Sequence, residues 1–381
     1  MASNPLPTEH LDAATTALQS VVDQAGEDHS ADPQSHIHQP APAPQAHSWL
    51  RSLFPYDSLE EFEAAWHLGN YVISRKTGAK VFEPMSIYVR LGMHLLYYGN
   101  EQQAVLHYQR VQELLKSQSE KMGEQYDSPT SIDHIEPFID SFGLRDSLKD
   151  MVIEDPKGYK TFNEFFGREI KPSARPIDEP ENPLTISSPA DCRLTTFPTV
   201  DLATKYWIKG FGFTLEALFG NNAELAKRFE GGSIAIARLA PQDYHRWHAP
   251  VSGTITSITE IPGAYYTVNP QAINESGTLD VFCENKRSVM LVDRSPSKSP
   301  VAIVAVGAML VGSIKYVDGV EVGKEVKRGQ CLGAFYYGGS TVINVFPKGE
   351  VEFDSDLVKN STEQNCETYV HVGWRMGEGP K

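Results

Sequence analysis

Tyr336-Tyr337-Gly338-Gly339-Ser340-Thr341-Val342-Ile343-Asn344-Val345-Phe346 is the stretch from which the rest of the chain can be read. Its second half is β-branched and aromatic, the composition of a strand. Two glycines followed by a hydroxyl make the turn that enters it. Gly338 and Gly339 lack a Cβ and reach conformations closed to other residues. The Gly339 carbonyl can therefore bend towards the Ser340 hydroxyl. An N-to-O acyl shift at that bond would give an ester, and β-elimination with loss of ammonia would leave a pyruvoyl group in place of Ser340. Taken alone, Gly338-Gly339-Ser340-Thr341 is more often a tight turn before a strand.

Upstream the same β rhythm continues. After Arg175-Pro176-Ile177 the chain is a series of short β runs separated by Gly, Pro and Asn, such as Ser233 to Leu239, Gly253 to Ile258 and Ser288 to Val292. This pattern predicts a mainly antiparallel β domain over 177–381, with one helix near Thr214 to Phe219. Val320 to Gly333 has the spacing of a lipoyl-type β hairpin, yet no Lys stands at its tip to carry a prosthetic arm.

Residues 48–176 read as helical. Ser58-Leu59-Glu60-Glu61 is an N-cap with acids in the first turn, and it leads into Phe62, Ala65 and Trp66 on one face. Met85 to Leu96 and Gln103 to Met122 carry further helical stripes, and Lys160 to Arg168 reads as a short aromatic helix. Such stripes serve helix packing more often than a surface that dips into lipid or roofs a pocket. The fold class expected is therefore α+β, a helical N-terminal region followed by the β domain. Residues 1–47, rich in Ala, Pro, Gln, His and acids, read as a disordered tail. Five of the twelve histidines fall there, and incidental histidines in a flexible tail explain them better than a metal site.

The 381 residues are 40% apolar, enough for one large domain or two smaller ones. A net charge of −15 and a pI near 5.3 argue against a nucleic-acid partner and against nonspecific adhesion to anionic lipid. Cys192, Cys283, Cys331 and Cys366 are widely spaced, which suits a reduced compartment without zinc or disulfides. The longest uncharged apolar run, Val301 to Ile314, is too short for a membrane span of about 20 residues. No Lys or Arg precedes Arg51, so neither a signal peptide nor a transit peptide is expected.

Self-cleavage at Ser340 requires a base and a group to orient it. Leu239-Ala240-Pro241-Gln242-Asp243-Tyr244-His245-Arg246-Trp247-His248-Ala249-Pro250 offers two histidines three apart. An extended backbone sends His245 and His248 to opposite faces, and a helical turn puts them on one. Ser188-Pro189-Ala190-Asp191-Cys192-Arg193 offers a carboxylate in a turn before a strand. Turn capping by Asp191 and satisfied core histidines are the structural alternatives. No further Cys or His at zinc spacing lies nearby, so no metal is expected.

Pro189-Ala190-Asp191, Asp243 to Pro250 and Gly338 to Thr341, taken together, resemble the pyruvoyl-dependent phosphatidylserine decarboxylase family, most closely its fungal and plant endomembrane type. The likeness runs from about Phe82 to Gly373 and includes Ser86 to Leu96, Phe162 to Phe166, Tyr266 to Pro270, Glu284 to Arg287 and Gly307 to Ile314. It implies that Ser340 is the self-cleaving nucleophile and, once Gly339–Ser340 is cut, the precursor of a covalent pyruvoyl cofactor. It implies His248 as the base, Asp191 as its orienter and His245 as the proton donor in decarboxylation. A β chain 1–339 and an α chain 340–381 would form a heterodimer, with further dimerisation open. Phosphatidylserine would lose CO2 through a Schiff base to give phosphatidylethanolamine, in the cytoplasm or in peripheral contact with endomembranes.

Trp247 and Ala249 replace the commonest Phe and Ser of the family pattern, and Cys192 its usual Ser or Gly. Some fungal relatives with an Arg-Trp-His-Ala-Pro stretch act on free aromatic amino acids such as tryptophan, not on phospholipid. A soluble decarboxylase of an amino acid such as tryptophan is thus the alternative, and a noncatalytic lipoyl-like binding module a third reading.

Overall fold

The computed structural model describes residues 69–84, 117, 120, 121, 123–208, 213–264, 266, 280–307, 313–336 and 340–380. The tail 1–47, the helical readings at 58–66 and 85–96 and most of 103–122 lie outside the described residues, as do Gly338 and Gly339.

A hairpin, β1 (Gly69–Ser74) and β2 (Lys80–Pro84), stands inside the stretch expected to be helical. Tyr71-Val72-Ile73 favours a strand, and Gly78 at φ +70° supplies a left-handed residue in the turn. Helices follow at Ile135–Phe142, ended by Gly143 at φ +63°, and at Phe162–Phe166. The second is the expected aromatic helix. Thr161 opens it by accepting the Glu164 N–H at 3.1 Å. Its Phe162, Phe165 and Phe166 pack with Tyr126, Phe138 and Tyr159 in a separate apolar cluster.

The β domain opens with β3 (Thr185–Ser187) and β4 (Cys192–Phe197). Short helices Val200–Tyr206, Leu215–Leu218 and Ala223–Arg228 lead to β5 (Ser233–Leu239), β6 (Arg246–His248) and β7 (Gly253–Ile261). The helix Leu215–Leu218 is the one the sequence placed near Thr214. After the helix Val281–Glu284 come β8 (Arg287–Arg294), β9 (Pro300–Gly307) and β10 (Ser313–Tyr316). Next are β11 (Glu325–Val326), β12 (Cys331–Tyr336), β13 (Ser340–Phe346) and β14 (Glu352–Phe353). The helix Ser355–Thr362, β15 (Glu367–Val370) and β16 (Arg375–Glu378) complete the order.

Among the described residues ten strands form one sheet, in the order β11-β7-β8-β9-β13-β5-β4-β15-β1-β2. All its pairings are antiparallel except β1 with β15. Two three-stranded sheets, β10-β12-β6 and β14-β16-β3, accompany it. Successive side chains leave a strand on opposite faces, so a sheet covered on both sides needs apolar residues at nearly every position. β13 and its neighbours show this. Ile234, Ile236, Val304, Ile343 and Val345 enter a core shared with the helices Val200–Tyr206 and Leu215–Leu218. Ala235, Ala237, Ile303, Val342 and Phe346 enter a second core, shared with Trp247, Leu332 and Phe335 of β6 and β12.

The lipoyl-type hairpin does not form. β11 pairs with β7, whereas β12 lies between β10 and β6. Gly333 permits this, because a Cβ there would meet the Trp247 ring at 2.3 Å. Among the described residues no helix is long and apolar enough to cross a membrane.

Candidate functional site

Ser340 is the first residue of β13 and is 2% exposed. It stands in a cross-strand row between Gly307 and Leu239. Alternation along the strand gives it the same face as Val342 and Phe346, the face covered by β6 and β12. Tyr336 ends β12 four positions earlier, so at most about 14 Å separates the two Cα atoms.

From Leu239 the chain turns at once. Ala240 N–H donates to Asp243 Oδ2 at 2.7 Å and Asp243 N–H to Ala240 O at 2.9 Å, which closes the turn. Arg193 of β4 donates to the same Asp243 carboxylate and to Glu83 of β2, so both guanidinium edges are matched. His245 follows, and its carbonyl accepts the Phe335 N–H at 2.9 Å. β5, whose Leu239 lies beside Ser340, and β12, which precedes Ser340, are thus tied together at His245.

The His245 ring is fully buried. Its Nδ1 lies 2.9 Å from Asp243 O, and its centroid lies 4.0 Å from that of Phe166. A carbonyl can only accept, so Nδ1 carries the proton and Nε2 holds a lone pair. Nε2 is buried without a hydrogen-bond partner among the described residues. Burial lowers the basicity of this imidazole, the Asp243 carbonyl opposes that, and the Arg168 and Arg193 charges add to it, so its pKa falls to about 3.

His248 lies on β6 opposite Cys331 of β12. Its Nδ1 is 2.8 Å from Gly329 O and its Nε2 is 3.2 Å from the Tyr244 hydroxyl. The same logic places the proton on Nδ1, and the Tyr244 hydroxyl donates to Nε2. Burial depresses the His248 pKa, whereas the Gly329 carbonyl and the Asp191 charge raise it. The two histidines follow the extended alternative, and their rings meet different neighbours.

Asp191 is brought to His248 by the backbone, with the His248 N–H donating to Pro189 O at 2.7 Å. Its carboxylate, however, does not hydrogen-bond the His248 ring. It accepts from Arg175 Nε at 3.0 Å, from Arg175 Nη2 at 2.6 Å and from the Val372 N–H at 2.8 Å. His371 Nδ1 stands 3.2 Å from it. Burial would raise this carboxyl, but His371 and Arg175 outweigh burial and hold its pKa well below the carboxylate range. Asp191 acts on His248 through its field, and the Gly329 carbonyl sets the direction of the ring.

Sequence reading missed four participants. Arg175 and His371 are 16 and 180 positions from Asp191, and no local spacing signals such partners. Tyr244 sits inside the motif quoted for its histidines, but its role depends on a ring direction that sequence does not specify. Arg168 follows the aromatic helix, and its side chain, 3% exposed, donates to the carbonyls of Phe165, Gln242 and Asp243.

Residues 162–378 match the family described as phosphatidylserine decarboxylase. The chain is 48% identical over 307 residues to phosphatidylserine decarboxylase proenzyme 3 of Schizosaccharomyces pombe, covering 81% of this chain and 31% of that protein. It is 41% identical over 338 residues to proenzyme 2 of Oryza sativa, covering 87% of this chain and 53% of the relative. With a phosphatidylserine decarboxylase proenzyme of Fusobacterium nucleatum it shares 37% identity over 305 residues, covering 80% of this chain and 96% of the relative. The chain thus spans between a quarter and just over half of the fungal and plant relatives it matches.

Proposed function

Because the chain belongs to the phosphatidylserine decarboxylase family, we propose that it is a self-processing decarboxylase that converts phosphatidylserine to phosphatidylethanolamine and CO2. One observation carries the reading. Ser340 is the buried head of a central strand, beside the end of β5 that runs on to His245, and the preceding strand β12 bonds the His245 carbonyl through Phe335 N–H.

In processing, His248 Nε2 exchanges the Tyr244 hydroxyl for that of Ser340 and takes its proton. Ser340 Oγ bonds to the Gly339 carbonyl carbon as the 339–340 C–N bond breaks, giving an ester. Elimination then releases the Gly339 carboxylate and leaves a dehydroalanine, which takes up water and loses ammonia. Residues 1–339 and 340–381 become the two chains.

The surroundings of residue 340 fit the resulting pyruvoyl group: a dry position at a strand head, beside a histidine segment with one bare ring nitrogen. That group supplies an electrophilic carbonyl for the substrate amine and a sink for the electrons freed as CO2 departs. The protein must return a proton to the carbon that lost CO2. His245 has none to give at Nε2 in its resting form. An anionic substrate carboxylate beside it favours the imidazolium, so binding arms the acid and CO2 loss disarms it.

The cleaved 42-residue piece stays embedded. β13 is laddered to β5 and β9, β15 to β4 and β1, and β16 to β3 and β14. Arg238 also pairs with Glu367 across the two pieces at 2.5 Å, a buried contact.

The test has two arms. Ser340→Ala should run as one uncut chain on a denaturing gel and release no CO2, and full activity in that variant would sink the reading. Processed protein should release CO2 from phosphatidylserine vesicles. Release from free aromatic amino acids alone would replace the lipid substrate with the soluble one.

A further inference from the structure

We propose that Arg168 is a positioning residue for His245: its guanidinium holds the Asp243 carbonyl that accepts the His245 Nδ1–H, and so fixes the ring in the tautomer that leaves Nε2 bare. The kinetic part of this inference rests on the decarboxylase reading, whereas the tautomer part stands on the geometry alone.

Arg168 stands two residues past the end of the helix Phe162–Phe166, beyond its cap Gly167. Its side chain turns back across the Phe165 ring, with the guanidinium carbon 5.0 Å from the centroid. Nη2 lies 3.3 Å from both Gln242 O and Asp243 O, and Nη1 lies 3.4 Å from Phe165 O. The neighbouring Gly167 carbonyl accepts Arg246 Nε at 2.8 Å, so the helix end is joined to the histidine segment on both sides of His245. The Asp243 carbonyl therefore has two donors, Arg168 and His245. Neither can move without disturbing the other.

The choice of a cation here is informative. A neutral amide could satisfy these carbonyls. A buried guanidinium is far harder to desolvate, and among the described residues no carboxylate lies within ion-pair distance of Arg168. What the charge adds is a field at His245 that disfavours the imidazolium. The other groups around the ring do not replace it. Arg193 also opposes protonation, but its charge is matched by Asp243 and Glu83. Phe166 contributes an uncharged ring, and β12 contributes the Phe335 N–H to the backbone carbonyl. Arg168 thus adds to burial, the larger cause, in keeping His245 neutral until a substrate anion arrives. A residue that was protonated at rest would have no cause to wait.

The experiment starts with the wild-type protein. With 15N-histidine labelling, and His245 assigned by difference against His245→Gln, the ring should show a protonated Nδ1 and a bare Nε2 between about pH 5 and pH 8. A protonated Nε2 at neutral pH overturns the proposal. In Arg168→Gln, His245, followed down to about pH 3.5, should begin to titrate about one pH unit higher than in wild type, and the acid limb of kcat/KM should move up with it. Unchanged ring signals and an unchanged limb overturn it. Arg168→Lys keeps the charge but loses the fork that reaches two carbonyls at once. It should retain the wild-type acid limb and KM with kcat lowered about fivefold, and wild-type kcat overturns the proposal even if the Gln variant fails to fold. A denaturing gel normalises each rate to cut chains. If wild-type protein releases no CO2 from any amine substrate, the decarboxylase reading fails, and the ring signals still decide the role of Arg168.

Discussion

The Tyr244 hydroxyl lies 3.2 Å from Nε2 of His248, so the nitrogen proposed to take the Ser340 proton already has a donor. Processing must first displace that hydroxyl. A neutral hydrogen bond contributes about 1 kcal/mol net. Tyr244→Phe should therefore speed self-cleavage about fivefold, as followed by the decay of the uncut band after rapid refolding. A cleavage rate lowered tenfold or more would instead make Tyr244 a proton relay.

Asp191→Asn removes the anion that Arg175 and the Val372 N–H share. It should lower stability by about 3 kcal/mol, because the largely buried Arg175 guanidinium keeps only its longer contact with Asp150 at 3.6 Å. The effect depends on pH. The folded carboxyl binds its proton well below the ordinary 3.8. Its stabilisation is complete above about pH 4 and is lost as pH falls below that, because the unfolded chain then takes a proton that the folded one refuses. Urea midpoints of wild type and variant should converge as the solution is acidified, and a constant gap would contradict the assignment.

His245 gives a second window. Its folded pKa is lowered from 6.5 to about 3, so stability falls as pH drops from about 6.5 towards 3. His248 contributes in the same direction. His245→Gln should flatten the slope of stability against pH across this interval, as measured by chemical denaturation, and leave the slope above pH 7 unchanged.

Gly333→Ala places a methyl 2.3 Å from Trp247 atoms and 2.6 Å from Lys315 O. Overpacking of this kind costs about 1–3 kcal/mol. Because β6 carries His248 and β12 feeds Ser340, the change should slow cleavage as well as lower the melting temperature. Loss of stability with wild-type cleavage would show that the β6–β12 register does not position the base.

Legibility followed the range of the interactions. β13, β5 and β8 were readable because consecutive β-branched and apolar residues need a two-sided sheet. Leu215–Leu218 and Phe162–Phe166 were readable because Thr214 and Thr161 cap them locally. The hairpin 69–84 lies inside a region that reads as helical, since beyond the local β1–β2 pairing its place in the sheet comes from β15, some 300 positions away. Val320 to Gly333 had hairpin spacing, but β11 and β12 found stronger partners elsewhere. Ser340, His245, His248 and Asp191 were each nameable from their motifs. That Asp191 turns to Arg175 and that the Gly329 carbonyl orients His248 depend on contacts made only after the sheet closes.

If the chain cuts itself ahead of residue 340 as proposed, the central position of β13 makes activation a commitment. An intact precursor that is melted and cooled can search for its native pairing as one tethered polymer. Once the bond ahead of residue 340 is gone, the middle rung of the sheet belongs to a detached fragment, and the tether's high local concentration is lost. Heat or denaturant should then inactivate matured protein for good while sparing uncut Ser340→Ala. Heavy- and light-isotope pools of matured protein, mixed under native conditions, should never trade their small fragments. On that reading the polypeptide would have to finish folding before it cuts, because the cut would remove its means of folding again.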